Sequence, residues 1–339
     1  MKAAYRKLNE SFRPTCVYHL GAGAGFFSEY NMMLLAMLYC LTRRIRFTLY
    51  SADANFAFRK GWTDYFEPFC PETSARHHHY LNHRATGSWH TVWKRARQGN
   101  AFSLMAGKLK RYVLNAAALC FKLREGSRYY TQDIWQPMLG MKADGHYSIP
   151  ELGIDGNLAE ALRQLTRLTW RFNEETEREV RPLIRQAALP DNYAGCQIRG
   201  GDKYTEFDLV DPAAYIQALE KRGNVRDVFV LTDDYRIFRQ LQKDCPAYAW
   251  HTLCLPSEHG YYHRDFTQNS RTALHRQLIR LLASMEVLCH ASFFIGTRTS
   301  NPSVFLYMYH PHRCVDADGR KDLLTRSTLG VGNNDGRPT

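Results

Sequence analysis

Short apolar segments alternate with helical patterns along most of this chain, and this alternation limits the possible folds more than any other feature. The candidate strands are residues 16–20, 45–50, 193–198, 228–232 and 292–296. The candidate helices cover residues 28–42, 212–222, 235–243 and 274–289. Strands that alternate with helices form parallel sheets covered by helices. We therefore predict an α/β fold, in which two Rossmann-like domains face each other across a GT-B-like cleft.

A polar break at residues 190–192, Pro-Asp-Asn, interrupts the pattern near the middle of the chain. Before it lies a long amphipathic stretch over 155–188, and a basic section over about 76–130 has a helical pattern with little strand character. The alternation of strands and helices then starts again. Because 339 residues suit about two domains, we predict an N-terminal α/β domain over 1–188 and a C-terminal Rossmann-like domain over 189–339.

The chain carries 45 Lys and Arg against 33 Asp and Glu, a net charge of +12, which favours anionic partners. Its densest basic runs, 93–97 and 108–111, fit solvated helix faces, and peripheral docking on an anionic membrane surface is the alternative. No zinc finger, basic zipper or RNA-binding aromatic motif is present, so we expect no nucleic-acid partner. The sequence does not indicate an oligomeric state.

The nine cysteines are odd in number and contain no C-x-x-C pair, which argues against a disulfide framework or a zinc-cysteine site. We expect reduced thiols in a cytoplasmic, soluble protein, since there is no secretory signal and no run of roughly 20 apolar residues. The run at 77–79, three histidines, has no partner at metal-ligand spacing, and we predict no metal.

The first chemically rich cluster, residues 197–206, follows a predicted strand. Open α/β sheets bind ligands at the carboxyl ends of their strands. Arg199 and Lys203 supply cationic donors that suit a diphosphate, and Asp202 and Glu206 supply carboxylates, one of which could act as a general base. A charged turn with internal salt bridges is the alternative interpretation.

Two further clusters also follow predicted strands. Asp233 and Asp234 could accept hydrogen bonds from a nucleoside or hold a metal, and capping of the next helix is an equal alternative. Residues 297–301 place hydroxyl and amide groups at a helix start, which is typical of an anion site. The glycine loop at 21–25 only loosely matches a dinucleotide fingerprint, and we do not predict NAD binding there.

In order along the chain, these clusters resemble the motifs of the α-1,6-fucosyltransferases, which include the core enzyme of animals and the rhizobial nodulation enzyme. The matching segments are residues 197–203 with Glu206, 232–234 and 297–301, together with 269–270, 61–62 with Phe66 and Pro68, and 168–185. The resemblance extends over about residues 16–325. The chain departs from the motifs at Gln197, Gly200 and Ser284, where the family has His, Arg and Asp.

This resemblance implies a GT-B-like inverting glycosyltransferase that moves L-fucose from GDP-β-L-fucose to a glycan or glycolipid hydroxyl without a metal or another cofactor. The first half would face the acceptor and the second would hold the donor. Arg199 would bind the diphosphate, and Glu206, or less favourably Asp202, would be the base. The donor-binding candidates are Gly23, Gly25, Asn31, Gln197, Lys203, Asp233, Asp234, Thr297, Thr299, Ser300 and Asn301.

Two other functions remain open on the sequence alone. One is a transferase that uses another nucleotide sugar in the synthesis of a surface polysaccharide. The other is a non-catalytic relative that binds a nucleotide or a glycan, which the departures from the motifs make conceivable. The acceptor and the linkage cannot be inferred from the residues.

Overall fold

A computed structural model describes residues 1–21, 24–82, 113–114, 116–200, 211–223, 225–260 and 270–317. Its helices are α1 Lys2–Ser11, α2 Phe26–Thr42, α3 His77–Leu81, α4 Thr131–Leu139, α5 Leu158–Thr169, α6 Glu174–Gln186, α7 Pro212–Arg222, α8 Tyr235–Asp244, α9 Arg271–His290 and α10 Asn301–Tyr309. Its strands are β1 Thr15–His19, β2 Arg46–Tyr50, β3 Ser127–Tyr130, β4 Tyr147–Ile149, β5 Ile154–Gly156, β6 Tyr193–Ile198, β7 Asp227–Thr232, β8 Ala249–His251, β9 Phe293–Gly296 and β10 Cys314–Asp316. The predicted α/β class is confirmed.

The first half of the chain builds a three-stranded parallel sheet in the order β2-β1-β3. Its third strand, β3, lies at the end of the section for which the sequence indicated little strand character, and that expectation was wrong for residues 127–130. The segment is only four residues long, with buried residues at its two ends and more exposed ones between them, so it is too short to produce a clear period-two signal. Its pairing with β1 defines it as a strand.

The second half builds a five-stranded sheet in the order β10-β9-β6-β7-β8, and every pair in it is parallel. All six residues of β6 are buried, which fits a central strand covered on both faces. The predicted bounds of β6 and α7 agree with the structure, and β7, α8, α9 and β9 begin or end within three residues of their predicted positions. The remaining strands of this sheet, β8 and β10, have three residues each.

The amphipathic stretch before the polar break forms two helices, α5 and α6. Between them the backbone pairs with residues 65–67: Arg171 accepts a hydrogen bond from the Glu67 amide at 2.9 Å, and the Asn173 amide donates to Tyr65 at 3.0 Å. The Asn173 side chain then caps α6 by accepting from the Thr176 amide at 2.8 Å. This cross-pairing and the new cap explain why the helical periodicity is interrupted at 170–173.

One continuous apolar core spans both halves. Phe305 of α10 packs on Trp170, with ring centroids 4.5 Å apart, and on Phe27 and Tyr30 of α2 at 5.2 and 5.6 Å. Trp62, which is almost fully buried, stacks on Phe66 within the same core and so has a packing role. The domain boundary at 188/189 lies between the two sheets and stays a prediction.

Among the described residues, none of the helices has both the length and the apolar composition that a bilayer-spanning segment needs. All nine cysteines lie within the described part of the chain and are free thiols.

Candidate functional site

Three of the predicted clusters meet at one edge of the five-stranded sheet. β6 lies between β7 and β9, and the three strands run parallel, so their carboxyl ends share that edge. Ile198, the last residue of β6, is in register with Thr232, the last residue of β7. The sequence separates these loops by more than thirty residues each, and the topology brings them together where such sheets bind ligands.

An ion pair joins the first two loops. A guanidinium nitrogen of Arg199 lies 3.1 Å from Oδ2 of Asp233, and the Gly200 amide donates to Oδ1 of the same carboxylate at 2.7 Å. Asp233 therefore binds both the backbone and the side chain of the β6 loop. About a quarter of the Arg199 side chain is still exposed to solvent, against 15% of Asp233. The carboxylate orients a guanidinium that remains accessible at the sheet edge.

Asp234, in contrast, has a structural role. It is the N-cap of α8, and its side chain accepts from the Arg236 amide at 2.9 Å and pairs with the Arg236 guanidinium at 2.6 Å. The hydrogen bond from Arg236 is the main cause that lowers the pKa of Asp234, against the opposing effect of burial. Of the two interpretations that the sequence left open, helix capping describes this residue, and its donor-binding role stays a prediction.

Gly200 occupies a position that leaves little room for a side chain. A Cβ there would lie 3.1 Å from the Asp234 Cβ and 3.3 Å from the Ile237 Cδ1, tighter than ordinary van der Waals contact. The close approach of the β6 loop to the start of α8 therefore gives a physical reason for glycine at the position where the family motif has arginine.

The third loop connects β9 to α10 and is largely buried. The Thr299 hydroxyl donates to the Thr297 hydroxyl at 3.1 Å, and Ser300 is the N-cap of α10 but makes no side-chain capping bond to it. Gln197, at the end of β6, accepts a hydrogen bond from the Ser303 hydroxyl at 2.7 Å, so its buried amide contacts the first turn of α10. The loop thus brings hydroxyl groups together with the N-terminus of a nine-residue helix, an arrangement that is typical of anion sites.

Arg298 lies in the same loop but is directed towards β10. Its guanidinium binds Oδ2 of Asp316 at 2.6 and 2.8 Å and lies 5.0 Å from the centre of the Tyr307 ring. The Tyr307 hydroxyl bonds the other oxygen of Asp316. Asp316 is therefore engaged by a cation and a phenol, and the pair fixes the loop to its neighbouring strand.

The first half contributes Asn31 to this edge. Its side-chain amide, fully buried on α2, donates to the backbone oxygen of Asn301 at 3.2 Å and lies 3.4 Å from the Asn301 side-chain oxygen. Gly25 is the N-cap of α2, and a Cβ there would meet no atom within 4 Å. The contact between Asn31 and Asn301 joins α2 to the start of α10, and neither the spacing nor the composition of the sequence signals it.

Several predicted site residues lie outside the described residues: Gly23, Asp202, Lys203 and Glu206. Their proposed contacts with the donor, and the assignment of Glu206 or Asp202 as the base, stay predictions. Arg298 belongs to the predicted 297–301 loop, but the sequence predicts no role for it. Its signal is its position two residues after a buried strand, next to an acidic strand end at Asp316.

No protein-family model matches the chain, and no curated protein matches it by sequence. Among solved structures, it is similar to the fucosyltransferase NodZ from Bradyrhizobium, with a TM-score of 0.47 and 13% identity over 87% of this chain and 92% of that one. It is also similar to POFUT1 in complex with GDP (TM-score 0.46, 9% identity, 89% of this chain and 98% of that one covered) and to a mutant of Arabidopsis thaliana FUT1 in complex with GDP (TM-score 0.48, 12% identity, 93% and 74% covered).

These likenesses concern the fold. This chain is α/β with two parallel sheets, and the similar structure NodZ is described as an α-1,6-fucosyltransferase. With TM-scores below 0.5 and identities of 9–13%, the likenesses do not assign a donor or an acceptor to this chain.

Proposed function

We propose that this chain is an inverting glycosyltransferase that moves L-fucose from GDP-β-L-fucose to a hydroxyl of a glycan or glycolipid. The observation that carries the proposal is the accessible Arg199 guanidinium, held by Asp233 at the carboxyl edge of the five-stranded sheet, beside the 297–301 loop. A guanidinium suits a diphosphate because its planar fork of N–H groups matches the phosphate oxygens. The motif resemblance supplies the identity of the sugar and of the nucleotide.

The chemistry follows from where charge develops. An acceptor hydroxyl attacks the anomeric carbon opposite the departing nucleotide, the bond from that carbon to the diphosphate breaks, and negative charge accumulates on the diphosphate. Arg199 and the start of α10 would stabilise this charge, because fixed donors aimed at a developing charge lower the barrier. Glu206, or alternatively Asp202, would take the proton of the attacking hydroxyl.

A panel of nucleotides tests the proposal. Thermal unfolding of the full chain is followed with GDP, GDP-fucose, GDP-mannose, UDP-glucose and ADP, and transfer and donor hydrolysis are measured without divalent cations and with Mg²⁺ or Mn²⁺. We expect GDP and GDP-fucose to raise the melting temperature most and added divalent ions to leave turnover unchanged. Selective stabilisation by a uridine or adenine nucleotide would refute the donor assignment, and absolute dependence on Mg²⁺ or Mn²⁺ would refute the metal-free mechanism.

A second candidate, a nucleotide-binding relative without turnover, has one observation in its favour. The loop at Gly200 approaches α8 so closely that the second arginine of the motif could not be accommodated without movement. Stabilisation by GDP with neither transfer to a broad glycan array nor donor hydrolysis would support this candidate over the enzyme. The cytoplasmic location predicted from the sequence is part of the proposal that the chain is a glycosyltransferase.

A further inference from the structure

A second polar cluster lies beside the three-stranded sheet, where His78 packs against the last residues of the strands, and it has no part in the proposed transfer. His78 stands in the short helix α3, next to His77, and Glu125 shortly precedes β3. Nε2 of His77 lies 3.1 Å from Oε2 of Glu125, and Nε2 of His78 lies 3.3 Å from the same oxygen. One ligand atom from each of the three residues lies within 4.8 Å of the other two.

These separations fit the coordination sphere of a small divalent ion. Zinc binds imidazole nitrogen and carboxylate oxygen at about 2.0–2.2 Å in a tetrahedron, which places neighbouring ligand atoms about 3.3 Å apart. Two neutral imidazoles and one carboxylate suit zinc better than they suit calcium or magnesium, because those two ions favour oxygen ligands.

His78 supplies an independent sign that a ligand belongs here. Its side chain is completely buried, and its Nε2 has no hydrogen-bond partner in the structure, although it faces the Glu125 carboxylate. Buried polar atoms without a partner are rare, because the loss of hydration is then uncompensated. Oε2 of Glu125 already has Nε2 of His77 as a hydrogen-bond partner at 3.1 Å, so a cation among the three atoms would give Nε2 of His78 the partner that it lacks.

The surroundings orient the three side chains. Nδ1 of His78 lies 3.1 Å from Nε2 of His19, and Nδ1 of His19 lies 2.9 Å from the Thr131 hydroxyl. When Nδ1 of His78 donates to His19, its Nε2 carries the lone pair that a metal needs. The other oxygen of Glu125 accepts hydrogen bonds from the hydroxyls of Ser127 and Tyr130, which leaves Oε2 directed at the histidines.

We propose that His77, His78 and Glu125 form a zinc-type site with three protein ligands, in which water would complete the tetrahedron. The ion would join α3 to the segment before β3 and so stabilise the packing of α3 against the first sheet. This site is independent of the proposed glycosyl transfer.

Cobalt binding to the full-length protein tests this site. After treatment with a chelator and its removal, the protein is titrated with Co²⁺, which reports four-coordination through strong visible absorption, and then with Zn²⁺ as a competitor. We expect one equivalent to bind, Zn²⁺ to displace the absorption, and the melting temperature to rise with either ion. Binding of less than about a tenth of an equivalent would overturn the proposal.

Variants separate ligation from folding, because replacement of the buried His78 could unfold the protein. His77→Ala and Glu125→Gln change partly exposed side chains, and we expect each to weaken Co²⁺ binding at least about 100-fold while the far-ultraviolet circular dichroism stays unchanged. His79→Ala is the matched control, since His79 is the next residue and pairs with Asp53. Equal effects of all three variants, or none from His77→Ala and Glu125→Gln, would refute the assignment.

Discussion

The two parallel sheets carry polar clusters of opposite chemistry. At the five-stranded sheet, an arginine held by a carboxylate stands beside the N-terminus of α10. At the three-stranded sheet, two histidines converge on a carboxylate, and a third histidine orients one of them. The residue types determine which ion each cluster suits: the carboxyl edge of the five-stranded sheet, here called the anion edge, suits a negatively charged group, and the histidine cluster suits a cation.

The comparison also separates residues that hold the fold from residues available to a ligand. At the carboxyl edge of the five-stranded sheet, Asp234 caps a helix and Asp316 forms an ion pair with Arg298. The Arg199 side chain, in contrast, keeps about a quarter of its surface exposed to solvent. In the histidine cluster, Nε2 of His78 is buried 3.3 Å from Oε2 of Glu125 and makes no hydrogen bond. A polar group that the fold itself leaves accessible or unsatisfied is a better candidate for a ligand than one that packing and hydrogen bonds already use.

The largest effect expected at the anion edge comes from Arg199→Ala. Loss of one positioned donor to a developing charge should lower kcat by roughly 10²–10³-fold, and Arg199→Lys should recover only part of it, because an ammonium lacks the planar fork. Initial rates with GDP-fucose measure both variants. Arg181→Ala, which breaks an exposed ion pair with Glu177 on α6, is the control. Normal turnover in Arg199→Ala would remove the basis for calling this edge an anion site.

Arg298→Met tests whether the neighbouring arginine is structural. It leaves the half-buried Asp316 without its cation, so we expect a loss of about 3 kcal/mol in the free energy of unfolding. Urea denaturation measures this loss. The double variant Arg298→Met/Asp316→Leu should regain part of the stability, since no unpaired charge remains. A stable single variant that has lost GDP binding would instead place Arg298 in the site.

At the histidine cluster, an acid titration of Glu125 tests whether its charge is stabilised by the fold. Burial raises the pKa of Glu125, but the neighbouring His78, Ser127 and Tyr130 outweigh it and lower the pKa to about 2. A depressed folded-state pKa contributes stability that is complete above the unfolded value near 4.5 and is lost as the pH falls towards 2.

The stability difference between the chelator-treated wild type and Glu125→Gln should therefore be largest at neutral pH, on the order of 2 kcal/mol, and shrink below pH 4.5. Urea denaturation at pH 7 and pH 3 measures it, and carboxylates common to both proteins cancel in the difference. A gap that stays constant over this range would show that the Glu125 charge is not stabilised by the fold.

The smallest effect is expected from Gly200→Ala. The added methyl group lies 3.1 Å from the Asp234 Cβ, so the β6 loop or the start of α8 must shift by a few tenths of an ångström. We expect about 1 kcal/mol of destabilisation and a weaker affinity for GDP, since Arg199 is the preceding residue. Unchanged stability and affinity would mean that this loop has room for a side chain.

The sequence predicted best what depends on local apolar patterns. β6 and α7 have strong strand or helix signals and clear breaks at both ends, and their predicted bounds agree with the structure. The division of 155–188 into α5 and α6 was missed, because it depends on pairing of residues 171–173 with 65–67, which are far away in the chain.

Contacts between residues far apart in the chain also limited what the sequence could predict of the two polar clusters. Arg199 and Asp233 could be identified from the sequence because each directly follows a strong strand, and topology joins strand ends. The histidine run was predicted to lack metal partners because Glu125 stands 48 residues after His77, beyond any spacing rule. Only the fold shows that they meet.

The aromatic contacts around Phe305 have a consequence for how the molecule comes apart. Because α10 starts at the candidate donor loop and buries its aromatic side chain against Trp170 and Phe27 of the first half, separation of the halves at 188/189 would expose large rings on both fragments. Fragments 1–188 and 189–339 should then aggregate when expressed alone and become soluble together when co-expressed. Calorimetry of the intact chain should show a single cooperative endotherm.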